Sequence, residues 1–447
     1  MPGEEPFAGP VADPVADPIV IVGMAIEAPG EVDSARSYWE LLAAGREALS
    51  AFPSDRGWPV AELLAPREGF KTIHNLGGFL SGATVFDPEF FSISPREATA
   101  MDPQQRVALR VSWRALENAG INPDDLAGHD VGCYVGASGA GHGAGLPLFS
   151  ELTGHLMSGK SLGVISGRIG YLLGLAGPAL TIDTSCSSAL TALHTAIQAL
   201  RSGDCSMALA GGVHVMGWPG DFAEFAKQHA LSDDGHCRPY SARASGTIWA
   251  EGAGMFVLER RSDALAAGRP VLAELRASCV NQDGRSQGLT APSGAAQERL
   301  FARALATAGV AVTDIGMIEG HGTGTILGDR TELRALAATY GATAAGRGAV
   351  LGSVKSNIGH AQAAAGALGL AKVLVSAGHG MIPATLHTAT PSSEICWEDQ
   401  GLRLSTEATP WPSAGGTRLA AVSAFGMSGT NAHVVVAVPE MPEDLVA

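Results

Sequence analysis

The sequence predicts an α/β protein, and three observations carry that reading. Short apolar runs of strand type alternate with longer segments whose apolar residues recur at helical spacing. Glycine is unusually frequent, 58 of 447 residues, which suits close backbone contacts between buried layers. Apolar residues make up 46% of the chain while aromatics supply only 6%, so the core must be built from small aliphatic side chains.

Residues 1–17 are rich in Pro, Gly and acids and carry a VADPVADP duplication, so they read as a disordered lead-in. Ordered structure is expected from Pro18, where PIVIVG has the pattern of a buried strand. Further strands are expected at Val131–Gly136, Pro178–Ile182, Met207–Val213, Gly254–Leu258 and Val271–Leu275. Helices are expected over Pro103–Ala119, Ala189–Arg201, Ala295–Ala308, Arg330–Tyr340 and Ala361–Ser376. A soft boundary near Ala264–Arg269 divides the chain into units 18–265 and 266–447. Each side could hold a similar βα unit, although no sequence repeat proves duplication.

Several function classes are disfavoured at once. A net charge of −15 argues against a general nucleic-acid binder. No apolar run is long enough to cross a bilayer, and no signal peptide opens the chain. The six cysteines are scattered without a C-x-x-C pair, which suits reduced thiols in a cytoplasmic protein.

The run DTSCSSAL, Asp183–Leu190, carries the first chemical signal. A strand-like PALTI precedes it, and Leu190, Leu193, Ile197 and Leu200 follow at helical spacing with Gly203 as a stop. Cys186 is thereby expected at a strand-to-helix turn, where the helix dipole and free amides favour a thiolate. A lone buried cysteine can equally be a small hydrophobe. Two downstream turns weigh against that reading. IEGHGTGT puts His321 in a glycine- and threonine-rich turn after an apolar run, and VLGSVKSNIGH places Lys355, Asn357 and His360 in a polar turn before an Ala-rich helix. Either histidine alone could be structural, but open α/β sheets gather ligands at such carboxyl ends of strands. A fourth turn, AFGMSGTNAH from Ala424, offers amides for an oxyanion hole.

One motif points elsewhere. GHLMSGKS from Gly154 matches the phosphate-binding G-x-x-x-x-G-K-[ST] pattern, and GKSLG matches a hydrolase elbow. Both need a buried strand in front, and SELT is a poor one, so nucleotide binding is kept only as a remote alternative.

DTSCSSAL, EGHGTGTILGD, VKSNIGH and FGMSGTNAH, in this order, resemble the β-ketoacyl synthases, most closely the ketosynthase domains of bacterial modular polyketide synthases. IVIVGMA, AFPSDRGW, FFSISPREATAMDPQQR, ISGRIGYLLGLAGPALTID, WAEGAGMFVLERRSDA and VNQDGRSQGLTAPSG extend the resemblance over Pro18–Val436. The resemblance implies a thiolase-like fold, two similar halves stacked as an αβαβα five-layer sandwich, as a homodimer. It implies Cys186 as the acyl-accepting nucleophile, with His321 and His360 assisting extender decarboxylation. Lys355, paired with Glu332, would orient the histidine site. The amides of Cys186 and Phe425 would form the oxyanion hole, and Phe425 would gate the acyl pocket. Thr323 and Thr325 would contact the pantetheine arm, with Asn357 also expected at the substrate. The resemblance implies no bound metal or redox cofactor, because the phosphopantetheine arrives on the partner acyl carrier protein with the acyl thioester. A non-catalytic relative would lack the nucleophile, which this chain keeps.

Departures from the family pattern fall at Ser185, Ala189, Gly320, Arg330, Thr331 and Ser245, and in the run Ile26–Gly30. The starting Met and short tail suggest a free-standing protein. That isolation, with the altered rim, raises a second reading within the fold. The chain would accept a finished β-ketoacyl thioester on Cys186 and release it by intramolecular carbon–carbon closure as a lactone or lactam.

Overall fold

The computed structural model describes residues 17–144, 146–147, 149–341 and 348–440. The lead-in expected over 1–17 therefore lies, but for Asp17, outside the described residues.

Eleven strands form one hydrogen-bonded sheet. In chain order they are β1 (Ile19–Glu27), β2 (Val131–Gly136), β3 (Ala179–Ile182), β4 (Met207–His214), β5 (Gly252–Arg260), β6 (Ala273–Gln282), β7 (Ile315–Glu319), β8 (Val350–Gly352), and then, with β9 (Met381–Ile382) and β11 (Thr409–Pro410) set apart as a small pair, β10 (Arg403–Leu404), β12 (Thr417–Phe425) and β13 (Thr430–Pro439). The large sheet runs β10-β8-β7-β12-β13-β6-β1-β5-β4-β2-β3. Only Val20–Glu274 and Ile21–Ala273 pair across β1 and β6, so the sheet is two half-sheets hinged at one narrow seam.

The halves fold over a shared middle layer. The helix Ser188–Ser202 packs on β2 and β4 from one half and on β6 and β13 from the other. The helix Ala365–Gly378 does the same between β12 and β5. Thirteen of its fourteen residues are buried, and its Ala- and Gly-rich sequence AGALGLAKVLVSAG lets two sheets approach it from opposite sides. Helices Pro103–Asn118 and Gly163–Leu173 cover the outer face of the first half, and Gly294–Ala308 with Ile326–Thr339 cover the second. The result is the expected five-layer α/β sandwich.

Strands with both faces covered should read as continuous apolar runs rather than alternating ones. β4 and β5 do, whereas β6 alternates buried and half-exposed residues. Glycines permit the closest approaches. A Cβ on Gly136 would lie 2.4 Å from the Ser188 and Ala189 backbone, so the start of the central helix rests directly on the end of β2.

Candidate active site at the carboxyl ends of the strands

Cys186 sits four residues past the end of β3 and two before the first residue of the helix Ser188–Ser202. The turn is tight: Ser185 has φ of 58°, a left-handed conformation uncommon for a residue with a Cβ. The small hydroxyl residues of DTSCSSAL hold it there. The Ser185 amide donates to Asp183 Oδ1 at 2.9 Å, the Thr184 amide to Ser188 Oγ at 2.9 Å, and Ser188 Oγ to the Ser185 carbonyl at 2.6 Å. Ser187 Oγ donates to the Thr184 carbonyl at 2.9 Å. Hydroxyls bonding nearby backbone stabilise such turns over continued helix.

Sheet register brings the other groups to Cys186. β7 is parallel to both β12 and β8. His321 follows the end of β7, the Lys355–His360 segment follows β8, and Phe425 closes β12. All three therefore emerge at one edge, as the strand-end argument predicts. Cys186, His321, His360, Phe425, Thr323 and Thr325 line one cavity of about 430 Å³. Across the seam, Gly426 presses on the cysteine turn: a Cβ there would meet the Thr184 carbonyl at 2.1 Å.

The two imidazoles stand edge to face with ring centroids 5.3 Å apart. His321 Nδ1 accepts the Phe425 amide at 3.3 Å. An accepting Nδ1 carries no proton, so a neutral His321 bears its hydrogen on Nε2. The backbone of His360 is pinned on both sides, its amide donating to Ile248 and its carbonyl accepting from Ala250. Its ring lies 5.4 Å from that of Trp249. Burial is the main cause that pushes both histidines well below their ordinary pKa, and the Lys355 charge adds to it. Both rings are thus neutral throughout the physiological range, each able to offer one N–H to developing negative charge.

Cys186 departs from the thiolate expectation. Burial pushes its thiol up to about 11, outweighing the Lys355 charge and the amides of Met427 and Cys186 that favour the anion. The dipole and amides of the helix start are present, but desolvation is the larger effect. The resting sulfur is a thiol, and the anion-favouring groups act when it loses its proton.

Glu332 is buried, and its carboxylate accepts the His321 amide at 2.7 Å, the Gly322 amide at 2.8 Å and the Tyr240 hydroxyl at 2.9 Å. It thereby fixes the turn that carries His321. Asp329 repeats the device, accepting the Tyr240 amide at 2.7 Å and the Gly324 amide at 3.1 Å. Lys355 forms no ion pair with Glu332 within 4.0 Å, so the expected pairing is replaced by these backbone bonds. The buried ammonium acts on the site through its field, and burial lowers its own pKa.

Asn357 does not reach the cavity. Its Nδ2 donates to the Arg46 carbonyl at 3.1 Å, and its carbonyl accepts the Ala48 amide at 2.6 Å. The segment expected as a polar turn is a short buried helix, Lys355–Ile358, and Asn357 latches it to residues 46–48. Thr323 and Thr325 are in place, their hydroxyls 3.0 Å apart. The nucleotide-binding alternative fails on its required context. Among the described residues no strand leads directly into Gly154, Leu156–Lys160 is itself helical, and Lys160 Nζ donates to the Gly143 carbonyl at 3.2 Å.

Tyr240, and Trp249 and Phe225, which line the same cavity, were not foreseen from sequence. Tyr240 reaches Glu332 across 92 residues, a contact that no local spacing announces.

Residues 16–264 match the family model described as Beta-ketoacyl synthase, N-terminal domain, and residues 272–389 match its C-terminal domain. Polyketide synthase GfsB of Streptomyces halstedii is 51% identical over 422 residues, covering 94% of this chain and 8% of the relative. Pikromycin polyketide synthase component PikAII of Streptomyces venezuelae is 50% identical over 438 residues, covering 96% of this chain and 12% of the relative. The chain therefore spans a small fraction of these relatives' length. The solved ketosynthase from module 6 of the bacillaene synthase of Bacillus subtilis 168 superposes with a TM-score of 0.87 at 38% identity, covering 95% of this chain and 73% of that one. The chain therefore belongs to the β-ketoacyl synthase family, with the thiolase-like fold of polyketide synthase ketosynthases.

Proposed function

We propose that the chain takes an acyl group from the phosphopantetheine arm of an acyl carrier protein onto Cys186 and extends it by decarboxylative Claisen condensation. The observation that carries this reading is the convergence of Cys186, His321, His360 and Phe425 on one cavity. In the first step Cys186 sulfur attacks the incoming thioester carbonyl, and the pantetheine thiolate leaves and takes up the proton. The amides of Cys186 and Phe425 would stabilise the oxyanion, Phe425 shifting its N–H from His321 Nδ1 to the developing charge. In the second step a malonyl-type thioester enters past Thr323 and Thr325. It loses carbon dioxide, and N–H groups of His321 and His360 hold the enolate oxygen. The carbanion attacks the acyl-Cys186 carbonyl, the β-ketoacyl thioester forms, and Cys186 sulfur leaves and is reprotonated.

Residues 18–265 would supply the nucleophile and 266–447 both histidines. A homodimer is supported by the sheet's free edge: on β3 Leu180 is 46% exposed, and nearby Tyr171 and Met157 are 82% and 89% exposed. All six cysteines are free, which suits a reducing cytoplasm, and no described helix is long and apolar enough to cross a membrane.

The test is a single turnover followed by intact mass. The protein is expected to load from an acyl-carrier and, on addition of malonyl-carrier, to release carbon dioxide and an elongated chain. Cys186→Ala should fail to load, while His321→Asn and His360→Asn should load without condensing. Persistent loading of Cys186→Ala overturns the nucleophile assignment. A cyclic product without extender favours release by ring closure instead.

A further inference from the structure

Glu47, His236 and His387 meet on the side of the molecule where residues 46–48 latch onto Asn357. They come from segments 189 and 340 residues apart in the chain, which is why no motif announced them. His236 Nδ1 lies 2.8 Å from Glu47 Oε2, and His387 Nε2 lies 3.0 Å from Glu47 Oε1. One ligand atom from each residue can be chosen so that all three lie within 4.8 Å of one another, and the two rings are 5.1 Å apart. Each side chain is partly exposed, at 21% for Glu47, 33% for His236 and 25% for His387, so an ion could enter from solvent.

We infer that this cluster is a binding site for a divalent transition-metal ion of the zinc class. Two imidazoles and one carboxylate are a donor set zinc accepts, with water in the fourth position. Tetrahedral bonds of about 2.0–2.1 Å would put the donors about 3.3 Å apart. The two carboxylate contacts need to open by only a few tenths of an ångström to reach that spacing. Loading replaces hydrogen bonds by metal bonds. The ring hydrogens on His236 Nδ1 and His387 Nε2 move to the opposite nitrogens or to solvent, and the carboxylate needs no proton change.

The backbone supports this convergence. His387 has φ of 63°, a left-handed conformation uncommon for a residue with a Cβ, and Gly235 just before His236 has φ of 80°. The site also ties together the loops behind the catalytic cavity. The Arg46 carbonyl, next to Glu47, holds Asn357. Cys237, next to His236, donates its thiol to the Thr323 carbonyl at 3.1 Å. A bound ion would thus clamp the supports of the His360 segment and of the Thr323 turn without entering the cavity.

The experiment uses untagged, chelator-treated full-length protein titrated with zinc chloride by calorimetry, with cobalt(II) absorption as a coordination probe. Cys186→Ala is the background, because a thiol beside two histidines could itself bind zinc. One equivalent per chain is expected in that background, with a cobalt spectrum of tetrahedral type and a raised melting temperature. Glu47→Gln and His236→Gln should each weaken binding at least about tenfold, since even residues behind a metal ligand cost that much when replaced. His236→Gln keeps a neutral side chain of similar reach, so a folded variant that no longer binds separates ligation from folding. Equal binding by the variants, or loss of all binding on Cys186→Ala, overturns the proposal.

Discussion

At the scale of single residues, chemistry is set by burial more than by formal charge. Cys186 lies at a helix start beside Lys355, yet desolvation raises its thiol to about 11. A raised pKa means less thiolate at neutral pH, and reaction through thiolate should climb about tenfold per pH unit until the pKa is reached. Alkylation of the Cys186 peptide by iodoacetamide is therefore expected to keep accelerating through pH 10, followed by mass spectrometry. A plateau beginning near pH 9, the ordinary cysteine value, would contradict the burial argument. The signs for His321 and His360 run the other way: lowered values keep both rings neutral as pH falls past 6.5, the usual histidine value. The meeting of Cys186, His321 and His360 at one cavity was legible in the sequence because each sits inside a glycine- or hydroxyl-rich turn. Asn357 was misread for the opposite reason. Its motif is polar, but its side chain turns away into a loop-to-loop bond that only the folded chain reveals.

At the scale of elements, the two halves must hold their turns in register across the seam. Gly426 makes one such tight contact, with no room for a methyl group beside the Thr184 carbonyl. Gly426→Ala is expected to displace the Phe425 amide from the cysteine and slow acyl loading about a hundredfold, the cost of losing one oxyanion donor. Loading rates from intact mass, beside a thermal melt showing retained folding, would check this. Unchanged loading would remove the 425–429 turn from the oxyanion hole. Long helices with clear periodicity were placed well: Ser188–Ser202 and Gly294–Ala308 begin within a residue of their expected starts. The helix Ile326–Thr339 begins four residues before its expected start, because its first turn, ILGD, lacks an apolar stripe. β6 was expected at Val271–Leu275 but runs Ala273–Gln282. Its outer half alternates polar and apolar residues, which a search for continuous apolar runs passes over. β12 was not anticipated because its small side chains, RLAAVSAF, carry weak strand preference and are buried by neighbours remote in sequence.

At the scale of the whole molecule, the sandwich leaves one apolar edge. β3 ends the sheet with Leu180 exposed beside the Tyr171 helix. Light scattering is expected to give twice the chain mass, and Leu180→Lys should shift the protein toward monomer. A wild-type monomer at micromolar concentration would show that this edge is covered in some other way. The seam between half-sheets is only two residue pairs wide, so the middle helices Ser188–Ser202 and Ala365–Gly378 keep Cys186 facing the histidines. That meeting of one half's Cys186 with the other half's imidazoles is the core of the account. It is tested most directly with malonyl-carrier labelled isotopically at its methylene carbon, given to protein already acylated on Cys186. The account predicts that the label becomes the new α-carbon of a β-ketoacyl-carrier, with one carbon dioxide released per chain extended. Label left in malonyl-carrier while the acyl group departs as an unlabelled ring would contradict it.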